Sequence, residues 1–236
     1  MKSIGVIAGM VLTGRHAFGN LKEKKIRTEF GQATVLISPR VAFVPRHGRD
    51  PRKYILPHMI NHQANLSALK GLGIEEVVGV NSTGSLRRNL PPGSIVIPDD
   101  FIYLSGPLTV FKDRAEHVTP GLSEPLRQKL IKASRACGID CIPTGVYWQT
   151  AGPRLETKAE IRMMAKFADL VGMTMAGEAI IAQELGLSYA AICSVDNYCH
   201  GIVRKPLTMD EIIDGARKNV DRMIRIVHQY LERSRK

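Results

Sequence analysis

Short apolar runs alternate along the chain with longer segments whose apolar residues recur every three or four positions. Ile4 to Ala8, Val41 to Pro45, Val77 to Val80, Ile95 to Pro98, Gly145 to Gln149 and Tyr189 to Val195 predict strands. Several are apolar throughout, the pattern of strands covered on both faces. Helices are predicted over His58 to Leu72, Leu122 to Cys137, Thr157 to Phe167 and Gly177 to Leu185. A last helix keeps one apolar face through Met209, Ile212, Ile213, Ala216, Val220, Met223, Ile224, Val227 and Leu231. Thr208 and Glu211 stand at its start with capping-box spacing, and Lys218, Arg222 and Arg225 form its solvated face. This order predicts an α/β fold, a three-layer sandwich with a central mixed β-sheet flanked by helices.

The chain has 236 residues with no linker composition and no repeat, so a single domain over 1–236 is expected. Hydrophobic residues make up 44% and charged residues 23%, which excludes a disordered chain. The run Ile4 to Leu12 is too short to span a bilayer, and Arg15 and His16 stand where a secretory signal needs small residues. A cytoplasmic protein without membrane partners is the expectation. Cys137, Cys141, Cys193 and Cys199 lack the spacing of a zinc or dithiol motif, so free thiols are expected, with a Cys137–Cys141 disulfide as the minor alternative.

The formal charge is +11, from 33 Lys+Arg against 22 Asp+Glu. The clusters Lys22 to Arg27, Arg40 to Lys53 and Arg222 to Lys236 do not form one stripe with interleaved aromatics, and aromatic residues are only 6%. That argues against nucleic acid as a partner and for a basic surface that draws small anions. The first strand is followed by Gly9-Met10-Val11 and lacks the G-x-G-x-x-G of a dinucleotide site.

Four segments carry candidate chemistry. Pro45-Arg46-His47-Gly48-Arg49 follows a strand; arginine offers a planar fork of donors to an oxyanion and His47 adds another donor, while a basic turn explains the segment equally well. Val80-Asn81-Ser82-Thr83-Gly84-Ser85-Leu86 runs from a strand into small residues that let backbone N–H groups approach a phosphate. Thr150 to Thr157 precedes a helix, and Glu156 is either a ligand to a substrate or a helix cap. Glu178, after Val171-Gly172-Met173-Thr174, reads as a buried partner for an arginine or the backbone. Ser194-Val195-Asp196-Asn197-Tyr198 ends an apolar strand where polar groups face a ligand.

Together PRHG with INHQAN, VNSTGSL, PPGSIVIPDDFI, TAGPRLET, VGMT and the strand ending in Asn197 closely resemble the purine nucleoside phosphorylase and 5′-methylthioadenosine phosphorylase family, the trimeric nucleoside phosphorylases. The resemblance implies phosphorolysis of a purine nucleoside, with inorganic phosphate as co-substrate and no metal or organic cofactor. It also implies a homotrimer or a homohexamer. By position in the motifs, Arg46, His47, the backbone of Ser82 and the hydroxyl of Thr174 correspond to phosphate-holding groups. Thr83, Gly84, Leu155, Glu156, Val171, Met173 and Asn197 correspond to residues around the nucleoside, and His117 to one reaching a neighbouring subunit's pocket. The family's first loop carries a Ser or Thr hydroxyl for phosphate; Met10 stands here and cannot donate, so Thr13 is the substitute candidate.

Asn197 can donate to O6 and accept from N7–H of a leaving base, while Glu156 accepts from N1–H. Those two with His47 are the candidate catalytic residues, and they favour 6-oxopurines such as inosine and guanosine. A shift of one residue that brought Asp196 into the pocket would instead favour aminopurines. Met209 stands near the point where the family's ordinary branch has a histidine for the 5′-hydroxyl. Methionine there suits an apolar 5′ group, as in 5′-methylthioinosine, or simply packs the start of the last helix. The alternatives are a 5′-methylthioadenosine phosphorylase and, more remotely, a basic nucleotide-binding or nucleic-acid-binding module.

Overall fold

A computed structural model describes residues 3–9, 18–204 and 206–234. Met10 and Thr13 lie outside the described residues. A 10-stranded mixed sheet forms the middle layer, and the order along its main path is β2-β3-β4-β1-β5-β9-β8-β7. The strands are β1 (Ile4–Ala8), β2 (Lys22–Thr28), β3 (Gly31–Ile37), β4 (Val41–Pro45), β5 (Glu76–Ser85), β6 (Ile95–Val96), β7 (Asp100–Tyr103), β8 (Val146–Gln149), β9 (Leu170–Gly172) and β10 (Ser188–Tyr198). β10 lies parallel to β5 and also pairs with β6.

Alternate residues of the central strands serve opposite faces. Val6 and Phe43 join one core under α2 (Glu124–Ala136) and α5 (Met209–Arg233). Ile7 and Val44 join the other, under α1 (His62–Gly71) and α4 (Met175–Glu184). A smaller cluster of Trp148, Ile161, Met164 and Val171 seats α3 (Lys158–Met164). The expected three layers are therefore present. No helix among the described residues is long and apolar enough to cross a membrane, and the four cysteines are free.

β1 and β4 have the expected bounds, and β5 and β10 run past theirs. The basic cluster Lys22 to Arg27 turns out to be most of edge strand β2, with exposed side chains. Charged edges of this kind resist pairing with another sheet, and they hide the strand from an apolar search. Thr208 caps α5 by accepting from the Glu211 amide. The apolar face of α5 meets the core only from Asn219 onward; Met209 is 61% exposed and Ile213 41%. Met209 therefore does not pack the start of that helix.

Candidate active site

The carboxyl ends of β4 and β5 and the start of α4 meet around Arg46. The residue is 3% exposed, so its charge must be matched within the protein. One terminal nitrogen donates to Asn81 Oδ1 at 2.7 Å and to Thr174 Oγ1 at 3.1 Å. The other donates to the Ile7 carbonyl at 2.8 Å and to Glu178 Oε2 at 3.2 Å. Nε lies 2.8 Å from Glu178 Oε1. Both terminal nitrogens are thus hydrogen-bonded within the protein, while Nε and Glu178 Oε1 form an ion pair without an aligned hydrogen bond. Tyr189 donates to Glu178 Oε2 at 2.7 Å, and burial pushes the Glu178 carboxyl up to about 7 although Arg46 pulls it down. Glu178 is thus the buried arginine partner that its position predicted.

Thr174 is the N-cap of α4, yet its side chain makes no cap bond. Its hydroxyl turns instead to Asn81 Oδ1 at 3.1 Å. The helix's first amides find other acceptors: the Tyr147 hydroxyl takes those of Thr174 and Met175, and Gln149 Oε1 takes that of Gly177. This substitution frees the threonine hydroxyl for the cluster around Arg46.

His47 stacks on Tyr54 with ring centroids 4.6 Å apart, and its Nδ1 lies 2.8 Å from the Ile55 carbonyl. A carbonyl only accepts, so Nδ1 carries the proton. Burial, with Arg46 nearby, lowers the pKa to about 4. Nε2 of the neutral ring is therefore an acceptor, not the extra donor expected from sequence. Ser82 is exposed on β5.

A second group of candidates lies further along β5. Asn197 pairs with Gly84 across the β5–β10 ladder, after a bulge that sets Asp196 out of register. Asp196 accepts from Asn219 Nδ2 at 2.9 Å, and its own carbonyl fills the space where a side chain at Gly215 of α5 would begin. Its carboxylate turns to Asn219 of α5 and to the side chains of Ser82 and Ser194, whereas Asn197 Nδ2 lies beside Gly84. The Asn197 amide donates to the Tyr198 carbonyl at 3.0 Å, which fixes which end is oxygen. Glu156 accepts from the Thr150 hydroxyl at 2.7 Å. It does not cap α3: Thr157 and Glu160 form that capping box. Cys199 links Glu156 to this end: burial, and after it the Glu156 charge, raises its thiol pKa, and its Sγ crowds Gly84.

The two groups lie along the same pair of segments. Gly84 pairs with Val171 in antiparallel register, so the chain from Val171 to Thr174 runs back beside Gly84 to Asn81. Three residues of strand separate the groups by about 10 Å. Between them stands Met173, half-buried with its sulfur against Gly152. The Thr83 hydroxyl is committed to the Ser194 carbonyl at 2.7 Å. Leu155 is 42% exposed, and His117 lies exposed in the segment between β7 and α2. Asn81, Gln149 and Tyr147 were not singled out in the sequence; their polar atoms at strand ends were the available signal.

The Phosphorylase superfamily sequence model matches residues 3–232. The chain belongs to this superfamily. A phosphorylase-superfamily protein of Archaeoglobus fulgidus, named a probable 6-oxopurine nucleoside phosphorylase, is 42% identical over 98% of this chain and 96% of its own. One of Methanocaldococcus jannaschii, named a probable S-methyl-5′-thioinosine phosphorylase, is 35% identical over 97% of this chain and 91% of its own. Among solved structures, methylthioadenosine phosphorylase from Schistosoma mansoni in complex with adenine superposes with a TM-score of 0.88 at 25% identity, covering 98% of this chain and 91% of that one. Like its relatives named nucleoside phosphorylases, this phosphorylase-superfamily chain is an enzyme.

Proposed function

We propose that the protein is a purine nucleoside phosphorylase for 6-oxopurine nucleosides, including 5′-methylthioinosine. The observation that carries this reading is the antiparallel run of Asn81 to Gly84 beside Val171 to Thr174. It sets the Arg46–Thr174 cluster and the Asn197–Glu156 cluster at the two ends of a space the length of a nucleoside. Phosphate held at the first end attacks C1′ of the ribose; the C1′–N bond breaks, a C1′–O bond forms, and the products are a free purine and a ribose 1-phosphate. The proton that hydrogen phosphate gives up is balanced by the proton the base gains. The Nε2 acceptor of His47 suits the O–H of hydrogen phosphate, and the Arg46 cluster offsets the anion's charge. The backbone of Ser82 joins the phosphate-holding groups, Thr83 and Met173 flank the ribose, and Val171, Gly84 and Leu155 border the base.

At the other end Asn197 donates to O6 and accepts from N7–H, and Glu156 accepts from N1–H. The bulge that sets Asn197 rather than Asp196 beside Gly84 supports the oxopurine preference. Exposed Met209 supports an apolar 5′ group. The exposed side chains Tyr54, Ile55, Leu56 and Met59, together with exposed His117, support a homotrimer or a multiple of it, acting in the cytoplasm. Phosphate is the co-substrate, and the proposed reaction uses no metal or organic cofactor.

Incubation with inosine, guanosine, adenosine and the 5′-methylthio forms, with and without phosphate, tests the reading. Phosphate-dependent release of hypoxanthine and guanine is the expected result. Release that ignores phosphate overturns it, and a preference for 5′-methylthioadenosine transfers the activity to the adenine-type branch.

A further inference from the structure

Both terminal nitrogens of Arg46 and the Thr174 hydroxyl already have acceptors, whereas Arg46 Nε and Asn81 Nδ2 have no hydrogen-bond partner among the described residues. Glu178 takes two contacts from Arg46, and Asn81 Oδ1 takes one from Arg46 and one from Thr174. An oxyanion that approaches this guanidinium meets a charge already matched by a carboxylate buried against it. Resting on the phosphate-site reading above, we infer that Glu178 is a positioning residue which stands in for the oxyanion, and that oxyanion binding drives a proton onto its carboxyl group. Two uncompensated anions beside one buried guanidinium are too costly, so one must be neutralised. The protonated carboxyl still aligns Arg46 through its carbonyl oxygen, while the positive charge passes to the ligand.

The groups around Glu178 leave it as the proton acceptor near neutral pH. Arg46 faces it from the end of β4, and Tyr189 and Cys193 from β10, both with pKa values raised by burial. Beyond Arg46 stand Tyr147 of β8, also raised, and His47 and His62, lowered to about 4 and about 3. Glu178, pushed up to about 7, is the group poised to change its charge in this range.

The test is calorimetric titration with sulfate, a dianion across the whole range, and with inorganic phosphate, from pH 6 to 8.5 in buffers of different ionisation heat. Wild type is expected to take up close to one proton per sulfate at pH 8.5, with affinity falling toward tenfold per pH unit on the alkaline side. In Glu178→Gln, uptake should vanish and sulfate affinity at pH 8.5 should exceed wild type at least tenfold. Tyr189→Phe removes the hydrogen bond that favours the carboxylate, so its affinity profile should shift to higher pH; this variant and the wild-type proton count serve if Glu178→Gln does not fold. Binding without proton uptake, or uptake that persists in Glu178→Gln and so belongs to His47, overturns the inference alone. Absence of any oxyanion binding overturns the phosphate-site reading with it.

Discussion

The hydroxyl of Tyr189 sits where a side chain at Gly79 would begin, and from there it donates to Glu178 at 2.7 Å. A glycine inside β5 thus gives the tyrosine its passage to the carboxylate that holds Arg46. Gly79→Ala should displace the ring and break that hydrogen bond, at a cost of about 1–3 kcal/mol. Denaturant unfolding should register the loss, and phosphate affinity should change with it, whereas Gly71→Ala, in open space on α1, should affect neither.

Thr174 donates to Asn81 and accepts from Arg46, so its hydroxyl ties β5 to the guanidinium. Thr174→Val keeps the shape and deletes the hydroxyl. The KM for phosphate should rise about 10- to 100-fold, while the KM for the nucleoside moves little. Steady-state kinetics with each substrate varied in turn separates the two.

Asn197 and its neighbour Asp196 are predicted to behave differently although adjacent. Asn197→Asp replaces a donor to O6 with an acceptor and should cut kcat/KM for inosine about 10- to 100-fold, with a smaller loss for adenosine. Asp196→Asn retains the volume and the acceptor to Asn219, and should leave the inosine-to-adenosine ratio within about twofold. Equal effects from both variants would show that neither residue reads the base.

His62 is buried against Gly177, and its Nδ1 has no partner among the described residues. Burial, with Arg46 and His47 nearby, lowers its pKa from 6.5 to about 3. The unfolded chain therefore binds a proton that the folded one refuses, and stability falls as pH drops from 6.5 toward 3. Glu178 acts oppositely: its raised pKa gives a contribution that is present below about 4.5 and lost as pH rises through about 7. His62→Gln should flatten the acid-side loss by up to about 1.4 kcal/mol per pH unit. Thermal unfolding between pH 4 and 6.5 measures it.

Much of the fold was legible because β1, β4, β5 and β10 are buried on both faces and read as unbroken apolar runs. The strands that escaped are those where this signal fails. β2 is a charged edge, β9 has three residues, and β7 begins at an exposed aspartate; β3 was missed as well, its apolar half preceded by exposed Gly31 and Gln32. The motif residues Arg46, Thr174, Glu156 and Asn197 could be named from the chain, but their hydrogen bonds could not. Glu156 and Glu160 look equally fit to cap α3 until Thr150 claims the first.

By itself the sequence determined the layered architecture, the superfamily and the residue types at each end of the candidate cleft, because burial and local spacing are written in composition and period. Only the tertiary structure decided which of Asp196 and Asn197 lies beside Gly84, which nitrogen of His47 is protonated, and that Arg46 is already matched by Glu178. Each of those depends on one backbone carbonyl, bulge or carboxylate brought close from a distant part of the chain, and proximity of that kind leaves no periodic mark.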